Sequence, residues 1–450
     1  MPRPPRPPNR RPPPRWAVAE RSRLVIAGGT VIDATGERAA DVLVGPHRTL
    51  AAVDDGLAAG AGSGHRILDA RGCVVAPGLV DLHAHLRQPG GEQAETVESG
   101  SRAAVLGGFC AVVAMPNTNP SIDSAAMVRE VQELGRASLC QVEVAGAITV
   151  DRAGERLAPM AEMAALGVRL FTDDGAGVQD TAVMRRALEY ASDLGVRLAQ
   201  HCEVDSLAAG GHMHEGEWSS RLGIPGIPAE AEEIMVMRDV ALSRLTGSPV
   251  HFQHLSTAGS VAIVEAARRS GVAVTAEVAP HHFTLTDESC ASYDSRFKVN
   301  PPLRPADDVV AVRAALARGS LDAIATDHAP HTSDAKDRAF EEAPPGMLGL
   351  ETALALALTE LDLAPADVLA LLSWQPARIA GIDGTHGGPV AAGRPANLCV
   401  FDPSAIWTPD DSGGASRSRN TPYVGRRLRG RVRHTLVAGE ALVVDGEAQR

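Results

Sequence analysis

Two histidines separated by one residue, His83 and His85, lie within an apolar stretch at residues 76–90. The stretch begins with apolar, β-branched residues typical of a buried strand and ends in charged and turn-forming residues. Side chains at i and i+2 of a strand point to the same face, so the two imidazoles project together, with Arg87 following on that side. Neutral imidazole is the commonest metal ligand. The pair alone leaves two interpretations open, a metal site or two unrelated polar residues.

Seven further apolar, strand-like runs follow, and most of them also end in polar residues. The eight runs are residues 74–83, 109–115, 142–148, 168–171, 197–200, 250–253, 272–278 and 321–325. Core packing does not explain so many histidines and aspartates at strand ends, because an unpaired buried charge is costly. The candidate metal ligands are His83, His85, Asp174, His201, His254 and Asp327, with Asp173 as an alternative to Asp174.

Helix-like segments separate most of these runs, at residues 125–136, 181–194, 229–246, 259–270 and 306–318. Strands that alternate with helices indicate βαβ units and a parallel sheet. Eight such units predict an α/β fold, a (β/α)8 TIM-like barrel, in which catalytic residues lie at the carboxyl ends of the strands. The candidate ligands occupy that position.

The two ends of the chain differ from this middle. Short strand-like runs at both ends predict one small β-sandwich built from residues 22–76 and 384–450, around a barrel at residues 77–383. Residues 410–423, rich in Gly, Ser, Thr and Asn, indicate a mobile loop. Residues 1–21 are Pro- and Arg-rich and predict a disordered tail. A start codon placed upstream of the true one is the alternative explanation of that tail.

Composition excludes several classes of function. The hydrophobic content of 44% and the charged content of 22% are those of a soluble globular protein. A net charge of −12 argues against nucleic-acid binding. The sequence contains no run of about 18 apolar residues that would span a membrane. The six cysteines include no C-x-x-C pair, which predicts reduced, buried thiols and a cytoplasmic location.

The candidate ligand set comprises four imidazoles and two carboxylates. Such ligands suit Zn²⁺ first, with Mn²⁺, Co²⁺ or Fe²⁺ as alternatives. Six ligands exceed what one catalytic ion with an open position needs, whereas two ions that share a carboxylate and a hydroxide use all of them. Two such ions would leave a net charge of about +1, which suits an anionic substrate and the activation of water. Whether one or two ions are bound stays open here.

The chain resembles the dihydroorotase family of the amidohydrolase superfamily, specifically its long-chain bacterial type, from residue 22 to about residue 447. The motifs that carry the resemblance are VDLHAHLRQPG at 80–90, MPNTNP at 115–120, FTDDG at 171–175, HCE at 201–203, VNPPLR at 299–304 and ATDHAPH at 325–331. The resemblance implies reversible, zinc-dependent cyclisation of N-carbamoyl-L-aspartate to L-dihydroorotate in pyrimidine biosynthesis. A homodimer and an association with aspartate transcarbamoylase are the partners it allows.

Family roles transfer by position. The resemblance implies that one ion is held by His83, His85 and Asp327, that the other is held by His201 and His254, and that Asp174 bridges them. Asp327 would also be the general base and acid. The implied substrate contacts are His85, Arg87, Asn117, Asn300, His331, Pro345 and Gly346. The last two belong to residues 344–347, here called the capping loop, which would cover the bound ring with backbone groups.

The sequence departs from the superfamily at two places. Many members bridge their metals with a carbamylated Lys, but Arg169 stands near that position, and a guanidinium cannot be carbamylated. The long-chain dihydroorotases use the aspartate of the Asp-Asp-Gly motif instead. The second departure is Pro345, where relatives often have an aromatic residue. Proline has no N–H, so only Gly346 could donate a hydrogen bond there.

Two other functions compete with this assignment. Hydantoinases and allantoinases are related cyclic amidases, but they generally use the carbamylated Lys, and Arg87 with Asn117 favours a ring that carries a carboxylate. A non-catalytic scaffold for aspartate transcarbamoylase would lose metal ligands, whereas all six candidates are present here.

Several other polar residues are set aside. We expect His212 and His214 to be solvated loop residues and Lys336 to lie on a surface loop. His281 and His282 either support the ligands or pack in the core. Glu203 and Asp205 either orient their neighbours or cap the helix that follows.

Overall fold

The computed structural model describes residues 23–62, 64–410 and 414–450. The tail predicted at residues 1–21 lies outside them. The strands are β1 Arg23–Ala27, β2 Thr30–Asp33, β3 Gly36–Ala39, β4 Asp41–Val44, β5 Leu50–Asp54, β6 His65–Asp69, β7 Val74–Pro77, β8 Leu79–Ala84, β9 Phe109–Ala114, β10 Gln141–Val144, β11 Leu170–Phe171, β12 Arg197–Gln200, β13 Met213–His214, β14 Gly226–Ile227, β15 Val250–Phe252, β16 Val274–Val278, β17 Ala323–Ile324, β18 Leu398–Trp407, β19 Leu428–Val437, β20 Glu440–Val444 and β21 Glu447–Ala448.

The α-helices are α1 Val97–Leu106, α2 Ala125–Leu134, α3 Met160–Ala164, α4 Thr181–Leu194, α5 Asp205–Ala208, α6 Glu217–Leu222, α7 Glu230–Thr246, α8 Ala258–Arg269, α9 Ala306–Ala317, α10 Ser333–Lys336, α11 Ala353–Glu360, α12 Pro365–Leu369 and α13 Gln375–Ile379. A single π-helical turn, Ala370–Trp374, joins the last two.

Eight parallel strands form the centre of the molecule. One sheet has the order β10-β9-β8 and another has the order β11-β12-β15-β16-β17. Two parallel bridges, Gly146 with Phe171 and Ala84 with His328, join the free edges of these sheets into a ring. Helices follow the strands on the outside, α1 after β8 and α2 after β9 through to α11 after β17. The predicted (β/α)8 barrel is confirmed.

The local sequence accounts for these units. β8 and β9 are buried along their whole lengths, as expected for parallel strands covered on both faces. The helix α4 buries Met184, Leu188 and Ala191, which recur at helical spacing. Asp180 caps its first turn by accepting from the N–H groups of residues 182 and 183, and Gly195 ends it in the left-handed conformation at φ 65°.

Both ends of the chain build a second layer. One sheet has the order β5-β4-β1-β6, and the other has the order β21-β20-β19-β18-β7-β2-β3. They share an apolar core to which the N-terminal residues Ile26 and Val42 and the C-terminal residues Val400 and Leu436 contribute. The first and last parts of the chain therefore fold together beside the barrel.

The run predicted at residues 74–83 is two strands rather than one. β7 pairs with β18 in the outer sheet, and β8 pairs with β9 in the barrel. Gly78 lies between them, where a Cβ atom would collide with the Sγ atom of Cys110. Glycine thus lets the chain pass from one layer to the other at close approach.

The predicted mobile loop is wrong for the part that the structure describes, residues 414–423. Ser416, Ser418 and Asn420 are buried there. Ser418 Oγ donates to the carbonyl of Ala94 at 2.7 Å, and Ser416 Oγ donates to the carboxylate of Glu95. This segment crosses from the C-terminal strands to the top of the barrel and is fixed there.

All six cysteines are free and buried, as predicted. Among the described residues, no helix is both long and apolar enough to cross a membrane.

Candidate active site

The six predicted metal ligands converge at the carboxyl ends of the barrel strands. Each follows or ends a strand, so parallel strand order places them at one mouth of the barrel. Ligand atoms of His83, His85 and Asp327 lie within 4.8 Å of one another, and so do those of His83, Asp174 and His254. His201 joins the second group, with its Nδ1 3.8 Å from Asp174 Oδ1. We call these six residues the ligand cluster.

Asp174 lies at the centre of the ligand cluster. Its carboxylate oxygens lie 3.2 Å from His83 Nε2, 3.6 Å from His85 Nε2 and 3.7 Å from His254 Nε2. The rival candidate, Asp173, accepts instead from the backbone N–H groups of residues 148 and 149, at 2.8 and 3.0 Å. The geometry therefore favours Asp174 for the bridging role.

The ligand cluster fits a cation. The Nε2 atom of His83 is buried without a hydrogen-bond partner among the described residues. The nitrogens that face Asp174 from the next two histidines, His201 Nδ1 and His254 Nε2, lie 2.9 Å from each other. A buried nitrogen without a partner is costly in a folded protein unless an ion or another group takes it. Burial raises the pKa of the Asp174 carboxyl, but the imidazoles around it outweigh this and hold that pKa well below its usual range.

Two imidazoles of the ligand cluster differ in their pKa. Burial lowers the pKa of His83, but the carboxylates beside it outweigh burial and hold that pKa well above its usual value. Burial, together with the neighbouring His254, lowers the pKa of His201 to about 3, so its ring is neutral at physiological pH. Neutral imidazole and ionised carboxylate are the ligating forms of these side chains. The four imidazoles and two carboxylates of the ligand cluster are the nitrogen and oxygen donors that zinc and related divalent ions bind, and such an ion displaces a proton from any imidazole that carries one.

A buried acid that the sequence analysis missed, Glu277, orients the first ligand. Glu277 Oε1 lies 3.0 Å from His83 Nδ1, and its Oε2 lies 3.0 Å from His251 Nε2. Burial raises the pKa of Glu277, but these two hydrogen bonds outweigh that effect and lower the pKa to about 2. A carboxylate that accepts from Nδ1 leaves Nε2 free for a metal ion. The available signal was a glutamate within an otherwise apolar strand run.

Two more buried acids fix the backbone around Asp327. Asp81 accepts from Thr326 N–H at 2.8 Å and from Thr326 Oγ1 at 2.6 Å, and burial raises the pKa of Asp81 to about 7. Glu95 Oε2 lies 3.3 Å from His328 Nε2. Asp327 is thus held from both of its neighbours along the chain, in a left-handed conformation with φ 45°.

A cavity of about 250 Å³ opens beside the ligand cluster. This volume is below the roughly 300–1,000 Å³ of pockets for drug-sized ligands and suits a small metabolite. All seven predicted substrate contacts line it, namely His85, Arg87, Asn117, Asn300, His331, Pro345 and Gly346.

Asn117 and Asn300 are each held by an acid or a ligand. Asn117 Oδ1 lies 2.9 Å from His85 Nδ1, and its Nδ2 donates to Asp174 Oδ2 at 3.2 Å. Asn300 Nδ2 donates to Glu203 Oε1 at 3.2 Å, while its Oδ1 is buried without a partner among the described residues. Asn117 therefore braces two ligands, whereas Asn300 keeps an acceptor free.

Arg87 faces the cavity as a cation without an anion. Its Nε donates to the carbonyl of Pro330 at 3.1 Å, and its Nη2 lies 3.4 Å from His331 Nε2. It forms no ion pair with a carboxylate of the described chain. A half-buried guanidinium with unused donors is a site for a planar anion such as a carboxylate.

The capping loop differs from the expectation. The N–H of Gly346 donates to the carbonyl of Lys298 at 2.8 Å, so it is not free to donate to a bound molecule. The carbonyl of Pro345 lies 2.8 Å from His331 Nε2. Lys336, expected on a surface loop, is only 8% exposed and lies beneath this loop. These contacts are not visible as a local sequence pattern, because they join the capping loop to helix α10 and to other segments of the chain.

The remaining histidines divide into two groups. His212 and His214 are half-buried rather than solvated, because their Nδ1 atoms lie 3.3 Å from Lys298 Nζ and 3.1 Å from Arg304 Nη1. His281 Nε2 lies 4.0 Å from Asp327 Oδ2, and His282 Nε2 lies 3.0 Å from the carbonyl of Pro301. His281 thus lies beside the ligand cluster, whereas His282 contacts the backbone of the core.

Comparisons with known proteins agree with this geometry. Residues 72–260 match the model of a family described as dihydro-orotase-like. The chain is 48% identical over 433 residues to the dihydroorotase of Streptomyces coelicolor, covering 95% of this chain and 99% of that protein. It is 46% identical over 432 residues to the dihydroorotase of Pelotomaculum thermopropionicum, covering 94% and 99%.

Solved structures share the fold. The L-hydantoinase of Arthrobacter aurescens matches with a TM-score of 0.84 at 22% identity, over 95% of this chain and 97% of that one. The D-hydantoinase of a Thermus species matches with a TM-score of 0.80 at 24% identity, over 94% and 96%. At these identities the likeness establishes the fold alone.

Proposed function

The chain belongs to the dihydroorotase family, and from that premise we propose that it interconverts N-carbamoyl-L-aspartate and L-dihydroorotate in pyrimidine biosynthesis. The reaction closes or opens a cyclic amide, which makes the protein a cyclic amide hydrolase. The observation that carries the proposal is a single cavity that is lined both by Arg87 and by every member of the ligand cluster except His83.

Arg87 selects the substrate in this proposal. Dihydroorotate carries a carboxylate on its ring, and the guanidinium offers two parallel N–H donors that no acid of the described chain occupies. Asn300 adds an acceptor oxygen, since its amide nitrogen is engaged by Glu203. Hydantoin and allantoin have no carboxylate to pair with Arg87, so binding them would leave this cation without a partner.

Asp327 is the proton carrier. Burial raises the pKa of its carboxyl, but the hydrogen bond with His85 and the nearby imidazoles hold that pKa below its usual value, so Asp327 is ionised. In ring opening it accepts a proton from the attacking water and returns it to the departing amide nitrogen. In ring closure it accepts the proton of the attacking ureido nitrogen.

The metal is zinc in this proposal, one or two ions per chain. His83, His85, Asp174, His201, His254 and Asp327 would hold it. A bound divalent ion supplies Lewis acidity toward the carbonyl and acidifies water. A scaffold without catalysis is disfavoured because the ligand cluster is complete. A homodimer and an association with aspartate transcarbamoylase stay predictions from the family resemblance.

The test is a comparison of substrates. Purified protein with zinc restored is assayed with dihydroorotate, carbamoyl aspartate, hydantoin and allantoin, beside the same protein stripped of metal. We expect turnover of the first two only, and only with metal. An R87M variant should lose most of its turnover of dihydroorotate. Absence of turnover with dihydroorotate and carbamoyl aspartate, or faster turnover of hydantoin, would contradict the proposal.

A further inference from the structure

The chain has only two lysines among its 43 basic residues, Lys298 and Lys336. Both are buried, at 6% and 8% exposure, and both lie beside the capping loop. Lys336 Nζ donates to the carbonyl of Pro344 at 2.9 Å and to the carbonyl of Gly346 at 3.1 Å. An ammonium is a compact charge that can reach two converging carbonyls, whereas a guanidinium is a wide planar fork. Lysine therefore stands where the local geometry suits an ammonium.

Asn420 reaches the same loop from the other side. Its Nδ2 donates to the carbonyl of Gly346 at 3.1 Å and to that of Ala329 at 2.9 Å, while its Oδ1 accepts from His331 N–H at 3.1 Å. Asn420 is buried and belongs to the segment that connects β18 to β19. Lys336 and Asn420 thus share one acceptor, the carbonyl of Gly346.

These contacts satisfy the polar backbone of the capping loop. The carbonyl of Pro344 is bonded by Lys336, that of Pro345 contacts His331, and that of Gly346 is bonded by Lys336 and Asn420. The Gly346 N–H donates to the backbone carbonyl of Lys298, and Pro345 has no N–H. Pro345 and Gly346 therefore line the cavity without a free backbone N–H donor to offer to a bound molecule.

We propose that Lys336 is a positioning residue: with Asn420 it clamps the capping loop so that an apolar wall, rather than hydrogen-bond donors, covers the substrate ring. This inference rests on the proposed function for the identity of the ring. Gly346 meets the same requirement, because at φ 134° a Cβ atom would lie 2.6 Å from Ala329 Cβ. The wall has no room to shift toward the strand ends.

Burying the ammonium of Lys336 costs stability, and this cost argues for a functional role of the residue. Lys336 forms no ion pair within the described chain, and an ammonium bonded only to carbonyls loses much of its hydration. Burial and the nearby Lys298 together lower the pKa of Lys336 to about 7, although Asp294 opposes them. An apolar residue at this position would avoid that cost. Replacing Lys336 should therefore leave the fold intact or more stable while it weakens substrate binding.

The test compares K336M with K298M in the full chain loaded with metal. Lys298 is the matched control, because its Nζ donates to the carbonyl of Glu341 rather than to the capping loop. We expect K336M to raise KM for dihydroorotate about tenfold, the value of one charge-assisted hydrogen bond. Its kcat should change less than KM, and its Tm should not fall. K298M should keep both KM and kcat near wild type.

Hydrogen exchange of the capping loop provides a readout that needs no activity. The Gly346 amide should exchange faster in K336M than in wild type and K298M. A K336M protein with wild-type KM and wild-type exchange would overturn the clamp. A KM increase accompanied by a clear fall in Tm would also overturn it, because the loss of binding would then follow from loss of stability. If wild type itself fails to turn over dihydroorotate, the proposed function fails while exchange still decides the clamp.

A second variant guards against misfolding of K336M. N420A removes the other donor to the carbonyl of Gly346. It should also raise KM and speed exchange, and the double variant should lose less than the product of the single effects, because both side chains serve one carbonyl. Independent, fully multiplicative effects would contradict a shared clamp.

Discussion

The ligand cluster and the capping loop line one cavity, but they are positioned in different ways. Each ligand follows a barrel strand, so strand order and register bring the six side chains together. The capping loop joins the barrel through one backbone bridge, between Met347 and His328. Two side chains, here called the tethers, also hold it: Lys336 from helix α10 and Asn420 from the 414–423 segment. The barrel strands thus position the ligand cluster, whereas the two tethers position the capping loop.

This difference predicts what mutation should do on each side. Changes in the ligand cluster should reduce kcat or metal content with little effect on substrate fit. Changes in the tethers should alter KM with the metal still bound.

The largest effect is expected for Asp327→Asn. The amide keeps the size of the side chain but cannot carry the proton, and loss of a general base costs up to about 10⁴-fold in kcat. The folded protein should persist, as judged by circular dichroism and Tm. Asp334→Asn, an exposed acid on the following helix α10, is the control and should keep full activity. A near-normal kcat for Asp327→Asn would assign the proton transfer elsewhere.

Asp174→Ala should mainly cost metal. Asp174 lies within 3.2–3.8 Å of four imidazoles, so its removal takes a ligand from both groups. Metal analysis by mass spectrometry should show most of the ion lost. Asp173→Asn is the control, because Asp173 bonds only backbone and Thr149 among the described residues; it should lower Tm and retain metal. The opposite pattern would move the bridge to Asp173.

Glu277→Gln should have a smaller effect of the same kind. The amide can donate as well as accept, so it no longer fixes the proton on His83 Nδ1. Loss of such a supporting carboxylate typically costs about 10–100-fold in metal affinity or activity. A titration with a chelator measures the affinity. Glu265→Gln on the outer helix α8 serves as a control, and equal affinities in the two variants would contradict the role.

The ligand cluster could be predicted from the sequence more fully than the contacts of the capping loop. Apolar runs that end in His or Asp are visible in the sequence, and a strand end determines where such a side chain points. The contact of Glu277 with His83 spans 194 residues and that of Ser416 with Glu95 spans 321, so neither is visible as a local pattern. Lys336 and the 414–423 segment were misjudged for the same reason, since polar sequence resembles a solvated surface until loops pack together.

The smallest predicted effect is a pH dependence of KM. The pKa of Lys336 is lowered to about 7, because burial and Lys298 disfavour the cation more than Asp294 favours it. Above that pH the side chain loses its proton, and its hydrogen bonds to two carbonyls lose their charge assistance. His331, the other titratable group in contact with the capping loop, has its pKa lowered by burial to about 3 and stays neutral throughout.

These two pKa values determine the direction in which KM changes with pH. As pH rises from about 6 to 8.5, KM for dihydroorotate should rise severalfold more in wild type than in K336M, where no proton is lost from the clamp. The ratio of the two KM values removes the shared pH dependence of the ligand cluster. Stability should move the other way, since the unfolded chain keeps the Lys336 proton up to about pH 10.5 and folding becomes more favourable between pH 7 and that value. A constant ratio of the two KM values across this pH range would show that the charge of Lys336 does not affect how the capping loop contacts dihydroorotate.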